Sequence, residues 1–174
     1  YFFFNFLNFS DGLNGITISI SIYWVIIFLI FGNFNYYFLV SILICLVIVL
    51  FYNLKNDLFL GNSGSSLLAS LFSSIFILEY NNYKTLYCDE IFLLMFLPSI
   101  DAARVSLYRA LKGSSPLQAD NEHFHHLLLK KFTNKVTFFI YIFFTTVPFL
   151  ISLSILKTYY SFILSIIFYF LILI

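Results

Sequence analysis

Apolar positions in this chain come in long uninterrupted runs, and the polar positions between them come in short clusters. Six runs stand out, at residues 16–31, 36–52, 65–78, 91–108, 136–156 and 159–174. Strands of a membrane barrel would alternate apolar and polar residues. Continuous apolar runs predict helices in lipid instead. Several runs are shorter than the ~20 residues that cross a bilayer upright. Pro98, inside the fourth run, is expected to kink its helix. Gly113, after Lys112, is placed to end it. The expected fold is all-α: a polytopic transmembrane helical bundle of about six spans, with residues 1–174 forming a single membrane domain.

Composition agrees with the pattern. The 174 residues are 61% hydrophobic and 22% aromatic, only 10% are charged, and the mean hydropathy is +0.97. A soluble domain needs more polar surface to cover its core. The net charge of +1 is uninformative, and no basic run suggests nucleic acid. Cys45 and Cys88 lie far apart and form no CxxC, so neither a disulfide nor a metal site is expected from them. The first residues lack the basic region and small-residue cleavage site of a signal peptide. The chain starts at Tyr1 and its one methionine is Met95. The expectation is therefore the C-terminal portion of a longer protein.

Charge then divides the connections into two sets. Residues 1–15, 53–64 and 109–135, with the adjoining end of the fourth run, hold seven basic residues: Lys55, Arg104, Arg109, Lys112, Lys130, Lys131 and Lys135. Residues 32–35, 79–89 and 157–158 hold two, Lys84 and Lys157. The positive-inside rule assigns the first set to the cytoplasm. A multi-pass protein of the plasma membrane is expected, with its polar motifs on the cytoplasmic side.

Three motifs fall in that first set. NFLNFSDGLNG, residues 5–15, offers Asn5 and Asn8 three apart, then Asp11 and Asn14 framed by Gly12 and Gly15. Glycines permit tight turns that bring amide and carboxylate groups together; an ordinary polar turn stays open. FLGNSGSS, residues 59–66, sets Gly61, Gly64 and Ser65 at the start of a helix. Free backbone N–H groups there suit a phosphate, and a serine-rich N-cap is the alternative. Residues 101–131 carry Asp101 and Arg104, able to pair at i,i+3, then Arg109 and Lys112, then all three histidines, His123, His125 and His126. Arg104, Arg109 and Lys112 are expected to form a basic edge at the membrane surface. Flanking charge with scattered histidines is the plainer reading. The histidine spacing matches none of the usual zinc patterns. Together the motifs offer hard oxygen ligands suited to Mg²⁺ and cationic or imidazole groups suited to phosphate.

In order and spacing, these motifs resemble those of the polyprenyl-phosphate N-acetylhexosamine-1-phosphate transferases. NFLNFSDGLNG is similar to the NxxNxxDGxDG motif of that family, and FLGNSGS to its FMGDxGS-type motif. RALKGSSPLQADNEHFHHLL is similar to its R-x-x-x-G segment ending in H-x-H-H. The likeness runs from residue 5 to about 131. It implies a bundle that transfers N-acetylhexosamine-1-phosphate from a UDP-sugar to a polyprenyl phosphate, commonly undecaprenyl, releasing UMP and requiring Mg²⁺. Such a reaction starts the synthesis of a cell-envelope glycan such as O-antigen or teichoic acid.

Carried onto this sequence, the resemblance puts Asn8, Asp11 and Asn62 at the metal. Asp11, His123, His125 and His126 become the catalytic set, with the histidines on the sugar-phosphate part of the substrate. Asn14, Gly61, Gly64, Ser65, Arg104 and Arg109 are substrate-binding candidates, Asn14 for the nucleotide. Two departures stand out. The family's Asp-Asp motif would precede Tyr1, and the family's aspartate in the second motif is Asn62 here. A non-catalytic relative that binds lipid phosphate or nucleotide sugar is the first alternative, and an unrelated transporter the second. The expected partners are UDP-N-acetylhexosamine, polyprenyl phosphate and the bilayer; a homodimer stays open.

Overall fold

A computed structural model describes residue 7 and residues 11–113, 122–154 and 157–173. Among the described residues the chain is all-helical, without strands. The helices are α1 (Ile16–Phe31), α2 (Tyr36–Leu54), α3 (Gly61–Leu78), α4 (Cys88–Leu94), α5 (Phe96–Leu111), α6 (Phe124–Leu129), α7 (Asn134–Ser154) and α8 (Thr158–Leu173). A π-helical turn, Glu79–Tyr83, continues α3. All six apolar runs are helical, at close to the expected boundaries.

Their number as membrane spans is smaller than six by length. Three stretches are long and apolar enough to cross a membrane: Tyr36–Leu54, Gly61–Tyr83 and Asn134–Leu153. The fourth run becomes two helices, α4 and α5, bent by 77°, and makes a fourth span if the pair is taken as one. Helices α1 and α8 have 16 residues each. At ~1.5 Å per residue they fall short of a ~30 Å hydrocarbon core when upright.

Proline explains why the fourth run breaks instead of kinking. Pro98 has no N–H for the carbonyl four residues back, and its ring crowds that turn. The chain leaves helical geometry at Met95 (φ −105°, ψ 9°). Pro98 thereby falls in the first turn of α5, where a missing N–H costs little. The Leu94 carbonyl accepts the Trp24 indole N–H at 3.0 Å. Gly113, at φ +70°, donates to the Ala110 carbonyl at 3.1 Å and ends α5 as expected.

Two aromatic clusters hold the bundle. Between lipid-facing helices, association rests on packing and polar ties, because lipid tails are as apolar as leucine. Trp24 lies edge-on to Phe72 and Phe76, at 5.2 and 5.4 Å, and Phe28 meets Phe76 at 4.8 Å, joining α1 to α3. Phe124 of α6 sits among Tyr141 and Phe144 of α7 and Tyr169 of α8, at 6.1, 6.1 and 5.0 Å. Helix α2 packs on α1 but turns Ile44, Val47, Ile48 and Phe51 outward.

The connections are tied in two separate groups. Glu79 is fully buried; its carboxylate accepts the N–H groups of Asn33 and Phe34 and the Thr85 hydroxyl. This clasp joins residues 32–35 to residues 79–85, two connections of the lysine-poor set. The other group holds the motifs.

Candidate functional site

The DGLNG loop is bound to the connection between α2 and α3. Gly15 N–H donates to Asn53 Oδ1 at 2.6 Å, Asn53 Nδ2 to the Leu58 carbonyl at 2.8 Å, and Asn14 Nδ2 to Asn56 Oδ1 at 2.6 Å. Gly15 requires its lack of a side chain. Its φ is +87°, and a Cβ there would stand 2.7 Å from a Leu54 methyl.

This anchoring puts Asp11 at the start of α3, where its carboxylate accepts the Gly61 N–H. The second motif therefore receives an anion at its helix N-terminus, and that anion is the protein's own. Burial raises the Asp11 carboxyl to about 6, only partly opposed by the Gly61 donor. Beside it, a Cβ on Gly12 would stand 1.9 Å from His125 Nε2. Two consecutive residues of the first motif thus touch the second motif and the third.

The histidine segment is held from outside its own helix. Asp101 Oδ2 accepts the Phe124 N–H at 3.0 Å and lies 3.0 Å from His123 Nδ1. Asp101 Oδ1 accepts from Arg104 Nη2 at 2.7 Å and from the Tyr169 hydroxyl at 2.9 Å. Arg104 also donates Nε–H to the Tyr169 oxygen at 2.7 Å, and Nη2 to the Glu122 carbonyl. The rings of His123 and His125 are parallel at 6.1 Å, and His125 meets His126 at 4.1 Å. Among the described residues neither nitrogen of His125 has a hydrogen-bond partner, although the residue is only 1% exposed. Burial and then the neighbouring His126 lower its pKa to about 3. His125 is therefore a neutral imidazole, which donates or accepts a hydrogen bond but brings no charge.

The sequence candidates distribute unevenly around this point. Asp11 meets Gly61, and its neighbour Gly12 meets His125. Asn14 lines a cleft of about 780 Å³ with Gly12, Asn56, Asn134, Lys135 and Phe138. Asn62 is exposed in the first turn of α3. Ser65 is buried and bonds the carbonyls of Gly61 and Asn62, and Gly64 packs on the Leu60 side chain. Arg104 serves Asp101, and Arg109 is buried, so of the expected basic edge only Lys112 is exposed. Asn5, Asn8 and residues 114–121 lie outside the described residues.

Three participants escaped the motifs. Asn53 could have been read as a lone amide in an apolar run. Tyr169 falls on a four-residue spacing with Ser161 and Ser165, all three buried on one face of α8. Asn56 carried no signal beyond its polarity.

Among the described residues no three His, Cys, Asp or Glu side chains gather as a metal cage. The Asp11 carboxylate is a hard oxygen ligand of the kind that Mg²⁺ takes beside waters and substrate phosphates. Partly desolvated, and with no cation beside it among the described residues, it is the group such an ion would relieve.

Comparison with protein-family models, with curated proteins and with solved structures finds no match for this chain. What the fold and site define is a class: an all-helical chain with three or up to four helices fit to cross a membrane. At one end of it, a carboxylate, a glycine-started helix and a buried histidine meet.

Proposed function

We propose that this chain is the site-bearing part of a polyprenyl-phosphate N-acetylhexosamine-1-phosphate transferase. In the reaction, an oxygen of the polyprenyl phosphate forms a bond to the β-phosphorus of a UDP-N-acetylhexosamine. The bond from that phosphorus to the bridging oxygen breaks, and UMP leaves. One observation carries the reading. Asp11 and Gly12, adjacent in the first motif, contact Gly61 of the second and His125 of the third. Gly12 and His125 lie 113 positions apart in sequence and are in contact.

The chain's own groups divide the work of positioning and charge stabilisation that phosphoryl transfer needs. His125, neutral and unpartnered, donates a ring N–H to a phosphate oxygen. Lys135 brings positive charge to the cleft that Asn14 and Asn56 line, where the nucleotide sits. Arg104 acts through Asp101, holding the histidine segment in place. Oxygens of Asp11, Asn8 and Asn62 would hold Mg²⁺, which would supply positive charge against the diphosphate. On this reading the motif end faces the cytoplasm of a plasma membrane, and the short helices α1 and α8 complete a six-span arrangement beside the three long helices and the bent pair.

A second reading, a relative that binds these substrates without turning them over, draws on Asn62, which brings an oxygen but no charge. One assay separates the two. The protein at its natural full length, in lipid nanodiscs, is given UDP-N-acetylglucosamine, undecaprenyl phosphate and Mg²⁺. UMP release that requires all three supports the transferase. Saturable UDP-sugar binding with no UMP release supports the binder, and release without the lipid phosphate overturns both.

A further inference from the structure

The last helix, α8, contributes none of the motifs, yet its Tyr169 is fully buried against the histidine segment. We infer that Tyr169 is a positioning residue for that segment, its hydroxyl locking Asp101 and Arg104 into the one arrangement that holds the start of α6. As a role in transfer this rests on the function proposed above; as a latch on α6 it does not.

The geometry leaves the hydroxyl little freedom. It donates to Asp101 Oδ1 at 2.9 Å and accepts from Arg104 Nε at 2.7 Å. Asp101 thereby has four donors around two oxygens: Arg104, Tyr169, His123 and the Phe124 N–H. A buried carboxylate is tolerated when its lone pairs are filled in this way. Two of the four donors belong to the first residues of the histidine segment, so the carboxylate ties that segment to α5. Arg104 adds a bond to the Glu122 carbonyl, immediately before the histidines.

Helix α6 has six residues. A helix that short does not persist on its own, so its placement depends on what grips its ends. Asp101 grips the N-terminal end, and the Tyr169 ring supports Phe124 from the side at 5.0 Å.

Residue choice follows from reach and chemistry. The oxygen must sit at the tip of a long, stiff, apolar body to cross from α8 to α5. Serine and threonine are too short, and phenylalanine has the body without the oxygen. Ser165 and Ser161, one and two turns earlier on the same buried face, bond the carbonyls of Ser161 and Pro148 instead. Tyr169 alone of the three reaches the network around Asp101.

The test is Tyr169→Phe in the full-length protein, which keeps the ring against Phe124 and removes the hydroxyl. Hydrogen–deuterium exchange in nanodiscs should quicken about tenfold over residues 122–129, the size of one hydrogen bond to a charged group. Exchange in the α1–α3 core around Trp24 should not change. In the transfer assay kcat should fall by about the same factor, while KM for the UDP-sugar stays within twofold, because the substrate still binds but the histidines are misplaced. Asp101→Asn, which keeps the shape and loses the charge, should loosen the same residues further. Unchanged exchange over 122–129 overturns the inference. So does a rise spread through the whole chain, which marks general destabilisation, or faster local exchange with kcat unaltered. Local loosening in a protein that releases no UMP at all would sustain the latch and remove the transferase reading instead.

Discussion

Two acids drawn out of solvent, Glu79 wholly and Asp11 in part, sit in the two tied groups of connections, and they are treated in opposite ways. Glu79 is surrounded by donors, two backbone N–H groups and a hydroxyl, and closes one loop onto another. Asp11 is half-buried, is reached among the described residues by the Gly61 N–H, and is pushed up to about 6. Beside the adjacent Gly12, His125 has no partner for either nitrogen among the described residues. Buried polar groups in folded proteins are normally satisfied. The Glu79 group therefore reads as structure, complete as it stands, and the Asp11 group as a place that costs stability until something binds there.

The largest expected effect comes from closing the gap at Gly12. A methyl group there would stand 1.9 Å from His125 Nε2 and 2.6 Å from Cε1, so the buried ring must shift. Gly12→Ala should lower transfer about a hundredfold, the order expected when reacting groups are misplaced by an ångström. The check is UMP release against melting temperature; a large loss of melting temperature would make Gly12 a folding residue and blur the contrast.

Glu79→Ala sharpens it from the other side. Three donors lose their acceptor, and the expected destabilisation is about 3 kcal/mol, read by chemical or thermal unfolding in detergent. The folded protein should still release UMP at the parental rate. A selective loss of turnover would show that the clasp is coupled to the site.

Titration tests Asp11 next. Because the Asp11 pKa in the folded chain lies above its unfolded value of 3.8, protonation favours the fold. The stability linked to Asp11 is fully present below pH ~4 and is lost as pH rises through about 6. Asp11→Asn should flatten that part of the pH–stability curve; an identical curve in the variant would mean that Asp11 is not desolvated.

Much of the bundle is written in the chain. All six apolar runs are helical, the fourth as two helices, and the split of lysines and arginines matches the way the connections are tied, with Asn14 and Asn53 in one group and Asn33 and Glu79 in the other. Other features were not legible. The length of a run does not reveal that Pro98 forces a break at Met95, because that depends on Trp24 being there to take the Leu94 carbonyl. The i,i+3 spacing of Asp101 and Arg104 gave their pairing. It could not give the use of that pair, since Tyr169 lies 68 residues from Asp101. Arg109 looked like surface charge because sequence shows the charge and not the burial.

A smaller effect is expected at Asn62, exposed beside the site. Asn62→Asp adds one charge, and the half-saturating Mg²⁺ concentration for transfer should drop about threefold, the size typical of one exposed charge pair. An unchanged titration would remove Asn62 from the metal's surroundings.

The most direct test of the central claim is Asp11→Ala, with UMP release and melting temperature measured on the same preparation of the full-length protein. The account predicts that release is abolished while the melting temperature holds or rises, because an under-satisfied buried acid has been removed. Release close to the parental rate would contradict it.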